Sequence, residues 1–489
     1  MQQDDATTLP DSGGGKSERI LVFLFLFSLP LINPWIRGDG VGYYAFARAP
    51  LIEHSLNFED DYLNANSGFR EHRVDATGRV KTFFRTRTGH LDNHFSVGPA
   101  ILWAPFLLLA HSAVLLARAA GSTVAADGFS APYRIVMAFA TALYGFLSLL
   151  LSFQLASKYV HQRWAFLATL GIWWASSLPV YMYFNPSWSH AQSAFAVALF
   201  LWYWHETRES RTLRQWLVLA LITGLMLNVY FANVMVLAVL LVEAIPQYLA
   251  AFRATPGRGR KAGSLFLRHA AFGLVVLISL FPTFLSRYIV YGNPFESGYI
   301  PLKNWLWYSP FFIAVLFSSN HGLFVWTPIL LFSVIGLFLL WRSQPDVGTA
   351  FIAAALAFYF FIACYPDWAG ISSFGNRFFV SLTTFFILGL GVVLDRFARL
   401  FRKPSAAMAS ATFGLACFVL WNLAFVFQWG AHLIPARGPI SWSEMIHNQF
   451  FAVPRRISAD LQLYLFRRRD MMQQIEQRDV DQLKKLNEE

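Results

Sequence analysis

Residues 20–29 read Ile-Leu-Val-Phe-Leu-Phe-Leu-Phe-Ser-Leu, and the twenty residues from Leu265 to Phe284 are also mostly apolar. In an outer-membrane β-strand, apolar and polar side chains alternate over about ten residues. Long uninterrupted apolar runs of this kind therefore favour membrane-spanning helices. Of the 489 residues, 56% are hydrophobic and only 14% are charged. In soluble proteins about a quarter of the residues are charged. The sequence therefore predicts an all-α polytopic membrane protein.

The apolar segments set the number of spans, because a helix needs about 20 apolar residues to cross the hydrocarbon core. We expect residues 1–18, which are polar and rich in Gly and Ser, to be a disordered cytoplasmic tail rather than a cleavable signal. The pattern predicts about 11 transmembrane helices, at residues 19–36, 132–156, 164–181, 190–206, 215–229, 232–252, 270–291, 322–341, 348–365, 377–395 and 407–429.

Basic residues orient these spans. The chain has 39 Lys and Arg against 28 Asp and Glu, a net charge of +11. In a soluble protein this charge would suggest nucleic acid, but in a membrane protein the positive-inside rule explains it, so we expect no nucleic-acid partner. Six basic segments are predicted to be cytoplasmic: 16–19, 158–163, 208–214, 253–268, 342 and 396–403. The external parts would then be two large loops, 37–97 and 292–321, and a tail, 431–489.

The apolar segment 98–117 is long enough to span the membrane. A single crossing there would place Arg19 and Lys158 on opposite sides, against the positive-inside rule. We therefore expect a juxtamembrane or re-entrant helix on the outer side, and its two prolines, Pro99 and Pro105, suit a helix that does not run straight through. The alternative is a true crossing, with the span count wrong elsewhere.

The first external loop begins with residues 37–44, Arg-Gly-Asp-Gly-Val-Gly-Tyr-Tyr. Asp39 would lie close to the membrane surface, where the head group of a lipid-linked substrate is found. The flanking glycines let backbone or substrate approach closely. A solvated turn is an equal alternative, since Asp and Gly are common in turns. The functional interpretation is that Asp39 is a general base.

Other candidates in this loop are acidic or histidine side chains. Glu59, Asp60 and Asp61 could bind sugar hydroxyls or a divalent metal through oxygen ligands, although a solvated acidic loop is the alternative. His94 could contribute to a polar or metal pocket, but histidines in polar loops are more often unliganded. A divalent metal is an open option, and no other cofactor is indicated.

Three further polar residues are candidates for substrate binding. His190 would begin the helix that follows the tip at 183–189, whereas Lys303 and His321 belong to the second external loop. His190 could equally be a capping or packing residue. The aromatic stretch 305–312 would suit a membrane-interface belt or an amphipathic helix over a lipid-substrate groove.

Arg377 stands at the start of an apolar helix, next to hydrocarbon and at the end of the helix dipole that disfavours a cation. Such a residue usually has an anionic partner. A lipid phosphate fits, because guanidinium binds phosphate oxygens in a bidentate manner. An intramolecular ion pair with Asp367 or Asp39 is the alternative.

The order of these features resembles the GT-C superfamily of polyprenol-dependent glycosyltransferases, which includes protein O-mannosyltransferases, the lipid A aminoarabinose transferase and oligosaccharyltransferases. Residues 38–44 are similar to its Asp-Glu or Asp-x-Asp motif, with Gly40 where a second acid is common. Residues 93–99 are similar to its His-Pro-Pro-Gly region, with Gly-Pro in place of Pro-Pro, and residues 368–379 also contribute.

The resemblance covers about residues 19–395, which would form a GT-C-like catalytic module, with an additional span in 396–430. It implies that Asp39 is the catalytic base of an inverting transfer, in which a polyprenyl-phosphate sugar donates a hexose or pentose to a hydroxyl of a lipid, glycan or protein. Arg377, with Arg287 or Lys303, would bind the leaving phosphate. The implied location is the outer face of a bacterial inner membrane.

Two other functions remain open at this point. A transporter or flippase of lipid-linked sugars would need charged groups deep within the spans, and few are visible apart from Glu243. An O-antigen polymerase or ligase would also use polyprenyl-linked sugars, but the aspartate directly after the first span and the order of the loops favour GT-C.

Overall fold

A computed structural model of the protein describes residues 14–253 and 258–488. Within these residues the only β-structure is two isolated bridges, so the all-α prediction is confirmed. The helices are α1 (Gly14–Ser28), α2 (Asp39–Ile52), α3 (Glu59–Leu63), α4 (Ser67–Arg73), α5 (Gly98–Ala119), α6 (Ala131–Ala156), α7 (Gln162–Ala175), α8 (His190–Thr207), α9 (Leu213–Val229), α10 (Ala238–Arg253), α11 (Arg258–Ser279), α12 (Phe281–Tyr291), α13 (Phe312–Phe317), α14 (Leu323–Trp326), α15 (Ile329–Ser343), α16 (Pro345–Cys364), α17 (Thr383–Ala398), α18 (Pro404–Gly430), α19 (Trp442–His447), α20 (Val453–Phe466) and α21 (Arg468–Glu488).

Long apolar helices dominate the architecture, and the chain is an integral membrane protein. Two shorter apolar helices, α9 and α15, accompany the long ones. In the described part of the chain, seven segments are long and apolar enough to cross a membrane: Gly98–Ala119, Ala131–Ala156, Phe231–Arg253, Gly259–Ser279, Pro345–Cys364, Arg377–Ala398 and Pro404–Gly430. The count of about 11 spans therefore stays a prediction.

Three boundaries differ from the sequence-based expectation. The span expected at 270–291 is displaced, because Pro282 starts the separate helix α12 and the long apolar helix is α11. The expected span 322–341 is divided between α14 and α15 at Pro328. Of the tail expected to be disordered, residues 1–13 lie outside the described residues, but 14–18 form the first turn of α1, and Glu18 accepts a hydrogen bond from Gln154 (2.9 Å).

One end of the helix bundle, here called the basic end, collects the Lys- and Arg-rich connections. Glu18 at the start of α1 meets Gln154 near the end of α6, and Lys158 pairs with Glu206 at the end of α8. The opposite end holds the chain leaving α1, where the Asn33 N–H donates to the carbonyl of Tyr183 at 2.7 Å. The basic segments 16–19 and 158–163 therefore lie at the same end of the bundle, beside the end of α8.

Helix α5 lies beside the N-terminal half of α6. Trp103 donates to Thr141 (2.9 Å), and His111 contacts the Tyr133 hydroxyl (2.7 Å), so the two helices are antiparallel. Because α6 runs from the opposite end toward the basic end, α5 runs away from the basic end. This placement supports the juxtamembrane interpretation of 98–117, although the length of α5 alone would allow a crossing, and the interpretation stays a prediction.

The core lies between α6, α7, α8, α15 and α17. The closest backbone approach is between α15 and α17: a Cβ added at Gly336 would lie 1.8 Å from the carbonyl oxygen of Gly389. Small residues at such a crossing let helices in a membrane pack tightly. This contact fixes α17, whose 3-10 extension Arg377–Leu382 carries Arg377 toward the opposite end.

The C-terminal tail folds back over the chain that leaves α1. The Tyr464 hydroxyl of α20 donates to the carbonyl of Leu31 (2.7 Å), and Trp35 donates to Glu476 of α21 (3.0 Å). Helix α21 also packs against α4. The described part of the tail, residues 431–488, is thus part of the folded structure at the end opposite the basic end.

Candidate active site

Asp39 is the first residue of α2, and the residue before it explains the sharp turn into that helix. Gly38 has φ +55° and ψ −131°, a conformation that residues with a side chain rarely adopt. The carboxylate then lies at the positive end of the helix dipole, which stabilises its charge.

The tip between α7 and α8 presses directly against this turn. A Cβ added at Gly40 would lie only 2.0 Å from the Ser187 hydroxyl oxygen. Trp188 donates from its indole to the carbonyl of Arg37 (3.0 Å), and Arg37 donates from Nε to the Asn185 side chain (3.0 Å). The glycines thus let protein backbone approach, and the tip holds Asp39 in place.

Arg377 reaches the same point from the start of the α17 segment. Its Nη1 lies 2.7 Å from Asp39 Oδ2, and its guanidinium lies over the Trp188 ring, 4.6 Å from the centroid. The ion pair expected as the alternative to a phosphate partner is therefore present. Yet Nε and Nη1 of Arg377 are buried and find no well-aligned hydrogen-bond acceptor among the described residues.

This pair opens into a cavity of about 1490 Å³ at the end opposite the basic end, here called the cavity end. The volume exceeds the roughly 300–1,000 Å³ of typical small-molecule sites, so a large ligand fits. Aromatic and aliphatic side chains supply much of the wall. The predicted residues that line the cavity are Asp39, His94, His190, Arg287 and Arg377.

Tyrosines surround the charged pair and were not singled out from the sequence. Burial and the negative charge of Asp39 raise the pKa of Tyr43 to about 12. Burial likewise raises the pKa of Tyr365 to about 12, with contributions from Asp367 and Asp39, and raises the pKa of Tyr299. These phenols are protonated at neutral pH and can donate hydrogen bonds to an anion.

His94 is held by a short polar chain at the cavity wall. Its Nδ1 lies 3.4 Å from Asp92 Oδ2, and Asp92 Oδ1 accepts from the Tyr291 hydroxyl (2.7 Å). Burial opposes the charge of Asp92, but the hydrogen bonds from His94 and Tyr291 outweigh it and lower the pKa of that carboxyl. His190 is 3% exposed, and its Nδ1 has no hydrogen-bond partner in the described part of the protein.

The acidic cluster predicted to bind sugar or metal does not line the cavity. Asp61 is buried and forms a two-pronged ion pair with Arg48, at 2.7 and 3.0 Å. Glu59 pairs with Arg85 (2.7 Å), and Asp60 is exposed. Asp61 and Glu59 therefore stabilise the loop 37–97 through ion pairs with Arg48 and Arg85, and Asp60 is left to solvent.

Lys303 and His321 also lie outside the large cavity. Lys303 is exposed, although its neighbours Leu302 and Trp305 line the wall. His321 lines a smaller adjoining cavity of about 230 Å³. It is 1% exposed, its Nδ1 lies 2.9 Å from the Asn320 side-chain oxygen, and burial lowers its pKa to about 4.

No cluster suited to a metal ion is found among residues 14–253 and 258–488, where at least three His, Cys, Asp or Glu side chains would have to converge. Of the carboxylates expected to supply oxygen ligands, Glu59 and Asp61 are paired with arginines and Asp60 is exposed.

Comparison with known proteins identifies a similar arrangement of helices among solved structures. The apo crystal structure of ArnT from Cupriavidus metallidurans aligns with a TM-score of 0.46 and 13% sequence identity, over 86% of this chain and 73% of that chain. Neither value supports a transfer of function from ArnT to this protein. No protein-family model and no curated protein matches the chain.

The tail contributes cavity residues that sequence reasoning missed. Asp479 of α21 lies 2.8 Å from His432 and 3.8 Å from Arg37, and all three line the cavity. Arg437 of the tail also faces the cavity. The sequence shows only that a highly charged tail follows an apolar helix. This pattern does not indicate which part of the protein the tail packs against.

Proposed function

We propose that the protein is an inverting membrane glycosyltransferase that moves a sugar from a polyprenyl-phosphate donor to an acceptor hydroxyl. The observation that carries the proposal is the Asp39–Arg377 pair at 2.7 Å, with the buried Nε of Arg377 lacking an acceptor, inside a cavity of about 1490 Å³. A base and a phosphate-binding cation therefore adjoin in a space large enough for two substrates.

Asp39 is suited to the role of general base. Its carboxylate is 30% exposed and lies at the cavity wall, so an acceptor hydroxyl can reach it. Arg377 holds one carboxylate oxygen, which orients the other. A positioned base of this kind contributes about 10²- to 10⁴-fold in rate.

Arg377 is suited to the donor phosphate. A buried donor without an acceptor is costly, and a phosphate oxygen would satisfy Nε, which has no partner among the described residues. The phenols of Tyr43, Tyr299 and Tyr365 can add hydrogen bonds to the same anion. Together these groups stabilise the charge that grows on the phosphate as it leaves.

In the proposed reaction the acceptor hydroxyl loses its proton to Asp39 as its oxygen bonds to the anomeric carbon. The bond between that carbon and the phosphate oxygen breaks, and its electron pair leaves with polyprenyl phosphate, next to Arg377. The proton on Asp39 is returned to solvent. One displacement of this type inverts the configuration of the anomeric carbon.

The lipid chain would enter along α12. Leu280, Phe284 and Phe295 form an apolar part of the cavity wall there, and Phe295 is 79% exposed. Arg287 lies on the same wall and makes no ion pair or hydrogen bond among the described residues. It is therefore free to be a second cation for the phosphate, between the apolar wall and Arg377.

The positive-inside rule applied to the basic end would place the cavity at the outer face of the membrane. The GT-C-like module, 19–395, would then supply the site, and 396–430 would return the chain to the outer side. The buried pair Arg211 with Glu243 (3.1 Å) lies at the basic end, away from the cavity, and the buried pair Arg48 with Asp61 lies within residues 37–97. A transporter would need coupling charges between the two ends, so this distribution favours an enzyme.

The test has two measurements in lipid nanodiscs: the binding of polyprenyl phosphate, and the turnover of polyprenyl-phosphate sugars. Wild-type protein should release polyprenyl phosphate from at least one of a panel of polyprenyl-phosphate sugars. Arg377→Ala should bind polyprenyl phosphate at least about tenfold more weakly, as expected for a lost charged hydrogen bond.

The matched control is Arg399→Ala, because Arg399 is an ion-paired arginine that is exposed at the other end of α17. It should bind like the wild type. Equal binding by Arg377→Ala, or no release from any donor in the panel, would contradict the proposal.

A further inference from the structure

The tail carries an apolar stripe that no described residue covers. Ile457, Leu461 and Leu465 of α20 are 41%, 46% and 39% exposed, and Phe450 in the preceding π-helical turn is 63% exposed. The spacing of four residues within α20 puts its three aliphatic side chains within about 80° of arc on one face. A stripe of this kind on an aqueous surface would be unfavourable.

The other faces of α20 have different environments. Val453 and Tyr464 are buried against the protein. Arg455, Ser458 and Gln462 form a polar exposed strip beside the apolar stripe, and the exposed Ala459 and Phe466 lie beyond that strip. The helix thus has a packed face, an apolar exposed face and a polar exposed face, which is the pattern of a helix lying in a membrane interface.

Two observations indicate what covers the stripe. The tail begins where α18, a segment apolar and long enough to span the membrane, ends at Gly430, so α20 must lie near the membrane surface at the cavity end. Arg455 and Arg469, on α20 and just after it, make no ion pair among the described residues. Their charges complement anionic lipid head groups.

We propose that residues 442–466 lie in the plane of the membrane at the cavity end and bind an anionic lipid surface through this stripe and these arginines. The consequence reaches the cavity, because α21 follows directly and presents Asp479 to Arg37 and His432. The lipid contact thereby holds the α21 wall of the cavity in place. This proposal does not depend on the reaction that the cavity carries out.

The test places a fluorescent probe on the stripe. Leu461→Cys, in a Cys417→Ser background, is labelled with an environment-sensitive dye and reconstituted as single copies in nanodiscs that contain phosphatidylglycerol. Spin-labelled lipid with the label near the head group should quench the probe at least twofold. If size-exclusion chromatography shows that Leu461→Cys is not folded, Leu465→Cys, on the same stripe, replaces it.

The matched control is Gln474→Cys on α21, which is exposed and polar and should be quenched much less. Removing phosphatidylglycerol should reduce quenching in the labelled protein, and Arg455→Gln together with Arg469→Gln should abolish that lipid dependence. Equal quenching at both positions, or none at Leu461, overturns the lipid contact. Crosslinking of Leu461→Cys to a second copy without quenching would show that another chain covers the stripe, which also overturns it.

Discussion

Asp39→Asn is the substitution that separates the proposed base from the rest of the site. The amide keeps the shape of the carboxylate but cannot accept the acceptor's proton. At 2.7 Å and an effective dielectric constant of about 20, the attraction lost with Arg377 is about 6 kcal/mol. Most of that is offset by the desolvation cost of holding the two charges together, so the net effect on folding is far smaller.

The remaining partner of Arg377 limits the structural damage. Its guanidinium still lies over the Trp188 ring, a contact worth about 0.5–2 kcal/mol. Without the competing carboxylate, Arg377 is also free to bind the donor phosphate. We therefore expect donor affinity to stay equal to that of the wild type or to rise, while turnover falls about 10²- to 10⁴-fold.

The assay is steady-state release of polyprenyl phosphate in nanodiscs, with donor binding measured separately on the same preparations. Asp395→Asn is the control, because Asp395 is an ion-paired aspartate at the other end of α17, next to Arg399. It should leave both quantities unchanged. Near-normal turnover by Asp39→Asn at matched expression would refute the assignment of the base.

Three further outcomes are expected. Gly40→Ala should destabilise the protein by about 1–3 kcal/mol and lower turnover, since its Cβ would meet Ser187 Oγ at 2.0 Å. Thermal unfolding should show partial rescue by Ser187→Gly. An unchanged melting temperature in Gly40→Ala alone would contradict this packing. Because burial lowers the pKa of His321 to about 4, the folded state resists its protonation, and stability should fall as pH drops from about 6.5 toward 4. In His321→Asn the melting temperature should depend less on pH over this range. The same pH dependence as in the wild type would contradict this prediction. An impermeant maleimide should label Gln474→Cys in intact spheroplasts but Arg399→Cys only after permeabilisation, and the reverse pattern would invert the proposed topology.

The sequence could predict the helical membrane class because hydropathy is a local property. The segment expected at 377–395, for example, is found as Arg377–Ala398. Boundaries failed where proline divides an apolar run, as at Pro282 and Pro328, because a hydropathy window does not register the lost backbone donor.

The candidate site was predictable only in part. Asp39 stood out because it follows the first apolar segment between glycines, and Arg377 because a cation at the start of an apolar helix needs a partner. An ion pair of Arg377 with Asp367 or Asp39 was the alternative to a phosphate. Asp61 looked equally functional, but its partner Arg48 lies on a different helix, and no local pattern reveals that pairing. The wall formed by α21 depends on tertiary packing, so it could not be inferred from its own residues.

The stereochemistry of transfer tests the central claim most directly. A polyprenyl-phosphate sugar of defined anomeric configuration, once a competent donor and acceptor are found, can be converted by the purified protein and its product analysed by NMR. A single displacement assisted by Asp39 predicts a product with the inverted anomeric configuration, in amounts equal to the polyprenyl phosphate released. A product with the retained configuration would contradict the account, because retention requires two successive displacements and a nucleophile other than the acceptor in the first of them, whereas the proposed reaction has one displacement.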